Sequence, residues 1–307
     1  MNIILIPFAY DDNMQSGINM HKDNRLDTYM KNLAVALVTA KHFNPTCDVA
    51  LATNIKEDEL SPSIVQVLKR NDILIFYYPF DRFRFCNSYP WGLAFYKLCC
   101  LSYIIETTNY ECICYFDSDV IVQNSLDSLW KETNEHIMLY DINHGLNTKN
   151  YQIMCKEVNE FIVDKHDSLP THYGGEFFAA CRKNAILFLK HIHNIYDEMI
   201  KREYMTTKGD EFIITIAASN CKTIIKNAAA YICRYWTDCD FRLVSTNYKY
   251  NAVCILHLPS EKTRGIIAIY NRFVSKGKMP SKKAIWKICR LSHQTLKDRV
   301  RYLLMNN

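Results

Sequence analysis

Short apolar runs alternate with amphipathic stretches along the first 122 residues of the chain. In the stretch 26–43, Leu33, Leu37 and Ala40 recur on one helical stripe. The apolar runs are nearly continuous, as in the buried strands of a parallel sheet. This β-α-β-α-β-α-β order predicts an α/β domain with a mostly parallel central sheet and helices on both faces. The expected strands here are 3–8, 47–53, 72–78 and 113–116, and the expected helices are 26–43, 61–70 and 90–107.

The second half of the chain repeats these elements less regularly. The segment HYGGEFF, 172–178, joins two glycines to an apolar run, which predicts a bend that enters a strand. A helix with an acidic first turn is expected to open at GDE, 209–211. The remaining expected elements are two strands, 137–140 and 252–258, and three helices, 125–131, 151–165 and 184–205.

Two carboxylates interrupt the apolar sequence YFDSDVIV, 115–122. Asp117 and Asp119 follow a predicted buried strand, where an unpaired charge is costly. Side chains two apart in an extended segment point the same way, so both carboxylates are expected to face one site. Mg²⁺ and Mn²⁺ are commonly held by one or two carboxylates together with phosphates and water. The pattern therefore predicts a metal-assisted site for a diphosphate-bearing ligand, with a helix cap or an arginine-paired turn as the alternative.

The composition is that of a globular domain, with 49% hydrophobic residues and only eight Gly and eight Pro. The thirteen cysteines are odd in number and most lie within apolar runs, which favours reduced thiols in a reducing compartment. The N-terminal residues do not resemble a signal peptide, and no run approaches the roughly 18 apolar residues of a membrane span. A cytoplasmic location is therefore expected.

Basic residues concentrate near the C-terminal end. Residues 262–307 contain 12 Lys and Arg and one acid, a net charge of +11, whereas the preceding residues carry 25 basic and 31 acidic groups, a net charge of −6. Helical spacing over 281–305, with Trp286 among basic residues, is compatible with peripheral contact with an anionic membrane at its cytoplasmic face. A helix packed on the body with a solvated basic face is the alternative. No nucleic-acid-binding motif accompanies the charge, so no nucleic-acid partner is expected.

The order of these parts resembles the GT-A glycosyltransferases, and most specifically glycosyltransferase family 8, the galactosyl- and glucosyltransferases. The resemblance covers about residues 1–262. It implies a GT-A, Rossmann-like fold for a domain 1–261, followed by a basic helical extension 262–307. It also implies transfer of a hexose from a nucleotide-sugar, most typically a UDP-sugar, to a glycan or glycolipid acceptor with retention of configuration. The motifs that carry it are ILIPFAY (4–10), YKL (96–98), YFDSDVIV, QNSLDSLW (123–130), GGEFF (174–178), GDEF (209–212) and a strand that ends near His257.

The resemblance implies a metal site. Asp117 and Asp119 match the Asp-x-Asp motif that holds Mn²⁺ (or Mg²⁺) against the donor diphosphate, and His257 matches the C-terminal metal-binding histidine. An imidazole beside two carboxylates favours Mn²⁺ over Mg²⁺; a histidine that is only hydrogen-bonded at a strand end is the alternative. Lys262 falls where the family has a lysine on the diphosphate, although this sequence reads HLPSEKTRG without the family's intervening glycine.

The resemblance also implies a set of donor contacts. Lys97 matches a basic helix residue that contacts the donor and the first aspartate, with a solvated lysine as the alternative. Ala9 and Tyr10 would cradle the nucleobase, and the two glycines would let the backbone approach the sugar or simply form a bend. The residues implied to bind the nucleotide-sugar are Ala9, Tyr10, Asp12, Asn54, Lys97, Asp117, Ser118, Asp119, Gly174, Gly175, Glu176 and Lys262.

Asp210 and Glu211 occupy the place where retaining members of the family have residues that touch the transferred sugar. A carboxylate there would stabilise positive charge on the sugar or act as a nucleophile. An acidic first turn that favours its helix dipole is the alternative.

Two other functional classes stay open. Asp-x-Asp after an apolar strand is also typical of haloacid-dehalogenase-type phosphatases, with Asp117 as the nucleophile, although that family has its motif near the start of the chain. A non-catalytic protein that binds carbohydrate or nucleotide-sugar is the second alternative.

Overall fold

The structure is a computed structural model that describes residues 1–11, 22–86, 89, 91–143, 145–161, 169–206, 208–221, 224–237 and 252–291. Asp12, which was expected to bind the nucleotide-sugar, lies outside these residues.

Strands and helices alternate through the described chain. The strands are β1 (Asn2–Phe8), β2 (Asp48–Thr53), β3 (Leu74–Tyr77), β4 (Cys112–Phe116), β5 (Val120–Val122), β6 (Ile137–Asp141), β7 (Tyr173–Cys181), β8 (Ile225–Asn227), β9 (Ile232–Arg234) and β10 (Ile255–His257). The helices are α1 (Lys22–Phe43), α2 (Pro62–Arg70), α3 (Tyr96–Thr107), α4 (Asp127–Thr133), α5 (Lys149–Asn159), α6 (Arg182–Lys201), α7 (Asp210–Asn220), α8 (Gly265–Arg272) and α9 (Lys282–Ile288).

The main sheet has seven strands in the order β3-β2-β1-β4-β7-β6-β8. The first four strands are mutually parallel, with Ile3 of β1 opposite Asp48 of β2 and Ile113 of β4. Strand β7 runs antiparallel to both of its neighbours, β4 and β6, and β8 is again parallel to β6. The mostly parallel α/β sheet predicted from the sequence is therefore confirmed.

A second sheet holds three short strands in the order β5-β10-β9. Strand β10 is antiparallel to β5, with His257 opposite Val120, and parallel to β9, with His257 opposite Arg234. Because β4 belongs to the main sheet and β5 to the second, residues 117–119 form the crossing between the two sheets.

The side chains of β1 enter two separate hydrophobic cores. Ile4 and Ile6 point into a core that α1 and α2 cover, whereas Ile3 and Leu5 point into a core that α3, α6 and α7 cover. This division follows from the two-residue period of a strand and explains why the first strands are apolar at nearly every position.

The sequence pattern did not give β5, β8, β9 or α8 as separate elements, and it misplaced several boundaries. Strands β8 and β9 have three residues each and carry no apolar alternation by which they could be recognised. The helix expected from residue 90 begins at Tyr96, after a 3-10 turn over Gly92–Phe95, and the strand expected over 252–258 is limited to β10. The expected helix 151–165 is α5, which ends at Asn159.

The described part of the basic C-terminal segment packs on the rest of the chain. Ile266 and Ile269 of α8 and Ile285 of α9 are buried in the same core as α1. Residues 292–307, which include most of the expected helix 281–305, lie outside the described residues, so the division at 261/262 stays a prediction. Among the described residues, no helix combines the length and the apolar character that crossing a membrane requires.

Candidate active site

The crossing between the two sheets places its acidic residues at the carboxyl end of β4, the central strand of the main sheet. Ligands of open α/β sheets bind at this edge. Asp117 is partly exposed, while Asp119 is buried. The backbone N–H of Asp117 donates to the carbonyl of Glu176 in β7, which anchors the start of the crossing to the sheet.

Pairing between β5 and β10 brings His257 and Lys262 to Asp119. The backbone N–H of Leu258 donates to the carbonyl of Asp119 over 2.9 Å, which extends this pairing past the end of the strand. Oδ2 of Asp119 then lies 3.2 Å from Nε2 of His257 and 3.0 Å from Nζ of Lys262. Asn32 of α1 donates to the carbonyl of Lys262 over 3.0 Å, so Lys262 is fixed from behind. The structure thus brings both distant residues expected from the sequence to the second aspartate.

Three of these side chains fit a metal ion. Asp117, Asp119 and His257 each offer a ligand atom, and the three atoms lie within 4.8 Å of one another. An octahedral ion with ligands at about 2.1 Å separates opposite ligand atoms by about 4.2 Å, so only slight side-chain shifts are needed. Two carboxylates and one imidazole suit Mn²⁺ or a similar divalent ion.

The buried groups around Asp119 have strongly shifted proton affinities. Burial would raise the pKa of Asp119, but Lys262 and His257 outweigh it and hold that pKa well below its usual range. Burial lowers the pKa of His257, yet Asp119 and then Glu176 raise it to about 9. Without an ion, His257 therefore carries a proton and serves as a counter-charge, and a metal must displace that proton to bind.

Lys97 of α3 connects the first aspartate to a second buried acid. Its Nζ lies 3.0 Å from Oδ1 of Asp117 and 2.9 Å from Oδ2 of Asp210, at the start of α7. The family resemblance implied this contact between Lys97 and Asp117. Burial raises the pKa of Asp210 to about 6 although Lys97 opposes this shift.

A first cavity opens beside the crossing. It is bounded on one side by the chain after β1, including Ala9 and Tyr10, and on the other by Lys97 and the crossing itself. Asn54 accepts from the backbone N–H of Tyr10 and donates to its carbonyl, both over 2.9 Å, so Asn54 holds Tyr10 from behind. The residues that line this cavity are Pro7, Phe8, Ala9, Tyr10, Asp11, Arg25, Tyr29, Trp91, Leu93, Ala94, Tyr96, Lys97, Asp117, Ser118, Asp119 and Lys262.

A second cavity adjoins the first and shares Trp91, Ala94, Lys97 and Asp117 with it. Its remaining wall is rich in charge, and Glu211 lies there with its two carboxylate oxygens facing different partners. Oε2 is 3.2 Å from Nε2 of His172, and Oε1 is 3.5 Å from a terminal nitrogen of Arg234. The residues that line this cavity are Trp91, Ala94, Lys97, Asp117, Gly175, Glu176, Lys208, Asp210, Glu211 and Arg234.

The two acids at the start of α7 have different surroundings. Asp210 is buried and paired with Lys97, whereas the side chain of Glu211 is 24% exposed at the wall of the second cavity. Glu211 is therefore the acid that a ligand in this cavity would reach, and Asp210 lies behind Lys97. Both residues also form the acidic first turn of α7.

The two glycines before Glu176 make room for buried carboxylates. A Cβ atom on Gly174 would lie 1.8 Å from Oε2 of Glu176, and one on Gly175 would lie 2.1 Å from Oδ2 of Asp210. Both glycines lie within β7 and not before it, in the stretch between Tyr173 and Phe178 where the pairing with β6 shifts register. The glycines are required by the close approach of these acids, and Gly175 also lines the second cavity.

Trp91 and Arg234, which line the cavities, and His172, which contacts Glu211, were not selected from the sequence. Arg234 lies on β9, a strand without a sequence pattern, and His172 precedes β7 within a segment from which only the glycines and Glu176 were selected. Trp91 follows Pro90, where a helix was expected to begin. It packs closely on Gly209, since a Cβ atom added to Gly209 would lie 2.8 Å from the Cβ of Trp91. No spacing rule links these three positions to the aspartates.

Comparison with known proteins bears on the fold. No protein-family model and no curated protein sequence matches this chain. Among solved structures, the galactosyltransferase LgtC in complex with donor and acceptor sugar analogues superposes with a TM-score of 0.56 at 14% identity, over 94% of this chain and 100% of that one. This chain has the GT-A fold.

Two further structures agree with this assignment. An active-site mutant of LgtC gives a TM-score of 0.55 at 14% identity, over 94% of this chain and 100% of that one. The apo form of mouse xyloside xylosyltransferase 1 gives 0.51 at 11% identity, over 84% of this chain and 97% of that one. The GT-A fold that the sequence resemblance implied is thus confirmed.

Proposed function

We propose that this protein is a metal-dependent glycosyltransferase that moves a hexose from a nucleotide-sugar, a UDP-sugar, to a glycan or glycolipid acceptor. The observation that carries the proposal is the convergence of Asp117, Asp119 and His257 at the edge of two adjoining cavities. The shared fold with sugar transferases supports it.

A bound divalent ion would be held by these three residues and would neutralise the leaving diphosphate as a Lewis acid. Lys97 and Lys262 lie beside the two aspartates and line the first cavity, where their ammonium groups would contact the same phosphates. Tyr10, held by Asn54, would stack on the nucleobase at the far end of that cavity.

The second cavity would hold the transferred sugar and the acceptor hydroxyl. Glu211 would support positive charge on the anomeric carbon, because it is the exposed member of the acidic pair and is oriented by His172 and Arg234. Asp210 would keep Lys97 in place. Retention of configuration is proposed because the resemblance to the family implies it.

The proposed function includes contact with a membrane that would carry a glycolipid acceptor. The basic residues of 262–307 would bring the enzyme to an anionic cytoplasmic surface, where a glycolipid acceptor would lie. Lys283, Lys287 and Arg290 are exposed on and just after α9 and are available for this contact.

The test is a thermal-shift screen of UDP-, GDP- and CMP-sugars with and without Mn²⁺. We expect a UDP-sugar to stabilise the protein only with the metal, by about 2.7 kcal/mol at a concentration of 100 times its Kd. Asp119→Asn should abolish the shift, whereas Asp127→Asn, at an exposed position in the first turn of α4, should retain it. Indifference of the wild type to every nucleotide-sugar would remove the proposal.

Product analysis separates the remaining classes. Metal-dependent transfer, or hydrolysis of the nucleotide-sugar in the absence of acceptor, supports the transferase. Binding without turnover would indicate a non-catalytic binder, and release of phosphate from a monoester would indicate a phosphatase.

A further inference from the structure

The charged residues between the two cavities form one continuous chain of contacts. It begins at Asp119 and His257, whose Nε2 and Oδ2 atoms are 3.2 Å apart. Nδ1 on the opposite side of the His257 ring lies 3.5 Å from Oε1 of Glu176. The same oxygen of Glu176 accepts from Nε of Arg234 over 2.7 Å and lies 2.6 Å from a terminal nitrogen of that guanidinium.

The chain continues from Arg234 into the second cavity. A terminal nitrogen of Arg234 reaches Oε1 of Glu211 over 3.5 Å, and Oε2 of Glu211 faces His172. One guanidinium therefore bridges a carboxylate behind the proposed metal ligand His257 and a carboxylate on the sugar side of the site. The planar fork of arginine suits two such partners, which a lysine ammonium would not hold in the same geometry.

The surrounding structure leaves room for the contacts of Glu176 with Arg234 and His257. Glu176 is 1% exposed, and its carboxylate fits only because position 174 has no side chain. The backbone N–H of Arg234 donates to the hydroxyl of Tyr140 over 3.2 Å, which fixes the start of the arginine side chain. A buried acid on β7 thus reaches a histidine on β10 of the other sheet.

We infer that Glu176 and Arg234 are positioning residues of the proposed metal site. Glu176 fixes the orientation of the His257 ring, and Arg234 holds the carboxylates of Glu176 and Glu211 in place. This inference rests on the proposed function. Histidines that bind metals usually donate their second ring N–H to a carboxylate, which sets the tautomer and the orientation of the ring. Glu176 occupies that place for His257, and Arg234 keeps this carboxylate from turning away.

The test measures Mn²⁺ binding by the full-length chain without any sugar nucleotide, from the free Mn²⁺ signal in electron paramagnetic resonance. Glu176→Gln should weaken the affinity about tenfold or more. In a His257→Ala background the same substitution should cause no further loss, because the residue through which Glu176 acts is gone. Circular dichroism and metal-free thermal unfolding report whether each variant is folded.

Arg234 is tested by chemical rescue. Arg234→Ala should weaken Mn²⁺ binding about tenfold, millimolar guanidinium should restore much of it, and Arg234→Lys should remain impaired. The matched control is Arg82→Ala, which removes an arginine that pairs with Glu106 away from both cavities and should leave Mn²⁺ affinity unchanged.

The outcomes separate this inference from the proposed function. If the wild type binds Mn²⁺ but Glu176→Gln weakens binding equally with and without His257, Glu176 acts by charge alone and the positioning role is overturned. A fold-intact Arg234→Ala variant with wild-type affinity overturns the role of Arg234. Absence of Mn²⁺ binding by the wild type overturns the proposed metal site and this inference with it.

Discussion

Asp119 and His257 stand 138 positions apart in the chain, yet Oδ2 of the aspartate and Nε2 of the histidine lie 3.2 Å apart. Both side chains are buried, and Lys262 adds a second cation to the same oxygen. The contact depends on two short strands, β5 and β10, that align His257 with Val120. Asp119 is thus the shared counter-charge of buried His257 and partly exposed Lys262.

Replacing Asp119 should therefore destabilise the metal-free protein strongly. We expect Asp119→Asn to lower the free energy of unfolding by about 3–5 kcal/mol, since breaking a buried ion pair leaves its partners uncompensated. Asp117→Asn is the matched control: Asp117 is partly exposed, and its partner Lys97 keeps Asp210, so the loss should be much smaller. Urea denaturation of both variants measures the difference, and equal losses would contradict the assignment.

Asn54 offers a prediction about nucleotide binding. Asn54→Ala removes both hydrogen bonds that hold the backbone of Tyr10, so the Kd for UDP should rise while Mn²⁺ affinity stays unchanged. A loss of about 1–2 kcal/mol in binding is expected from two bonds of ordinary strength. Asn71→Ala, which removes one amide contact to Val67 in α2, should leave the Kd for UDP unaltered. Calorimetric titration with UDP decides between these results.

Lys97 and Asp210 should behave as an energetically coupled pair. Lys97→Met leaves Asp210 buried without its cation and is expected to lower the free energy of unfolding by about 3 kcal/mol. The double variant Lys97→Met/Asp210→Asn should recover part of that loss, because the unpaired carboxylate is also removed. Lys31→Met, which breaks an exposed helical pair with Asp27, should cost no more than about 0.5 kcal/mol. Strictly additive single effects would show that the pair does not interact.

The pKa of Asp210 predicts how stability changes with pH. Burial raises that pKa from 3.8 to about 6, against the effect of Lys97. The folded state then binds the proton more tightly than the unfolded state, so the group is destabilising above about pH 6 and this cost disappears as the pH falls towards 4. Relative to Asp210→Asn, the wild type should gain up to about 3 kcal/mol between pH 7 and 4. Urea unfolding of both proteins at a series of pH values measures this gain, and a constant difference would contradict the shift.

The sequence was informative where a pattern is local. The apolar period of β1 and the stripe of α1 predicted the α/β sheet, because a buried strand and an amphipathic helix are each recognisable within a few residues. The two aspartates were recognisable for the same reason, since they interrupt an apolar run. Lys97 and Lys262 were selected through the family resemblance alone, and the structure places both beside those aspartates.

Other features depended on contacts between distant segments. The close approach of Asp210 to Gly175 became visible only when β7 and α7 were packed together. Asn54 was expected to line the nucleotide pocket, and the structure instead places it behind Tyr10, because the chain after β1 folds over the end of β2.

By itself, the sequence determined the alternation of strands and helices and the convergence of two carboxylates at a strand end. The reason is that the hydrophobic periodicity of a strand or a helix is visible in neighbouring residues. Only the tertiary structure decided which cations meet those carboxylates and that Arg234 links the two cavities. The physical reason is that β9 has three residues and carries no pattern of its own, while β10, although its apolar run is visible in the sequence, is placed by pairing with β5, more than a hundred residues away.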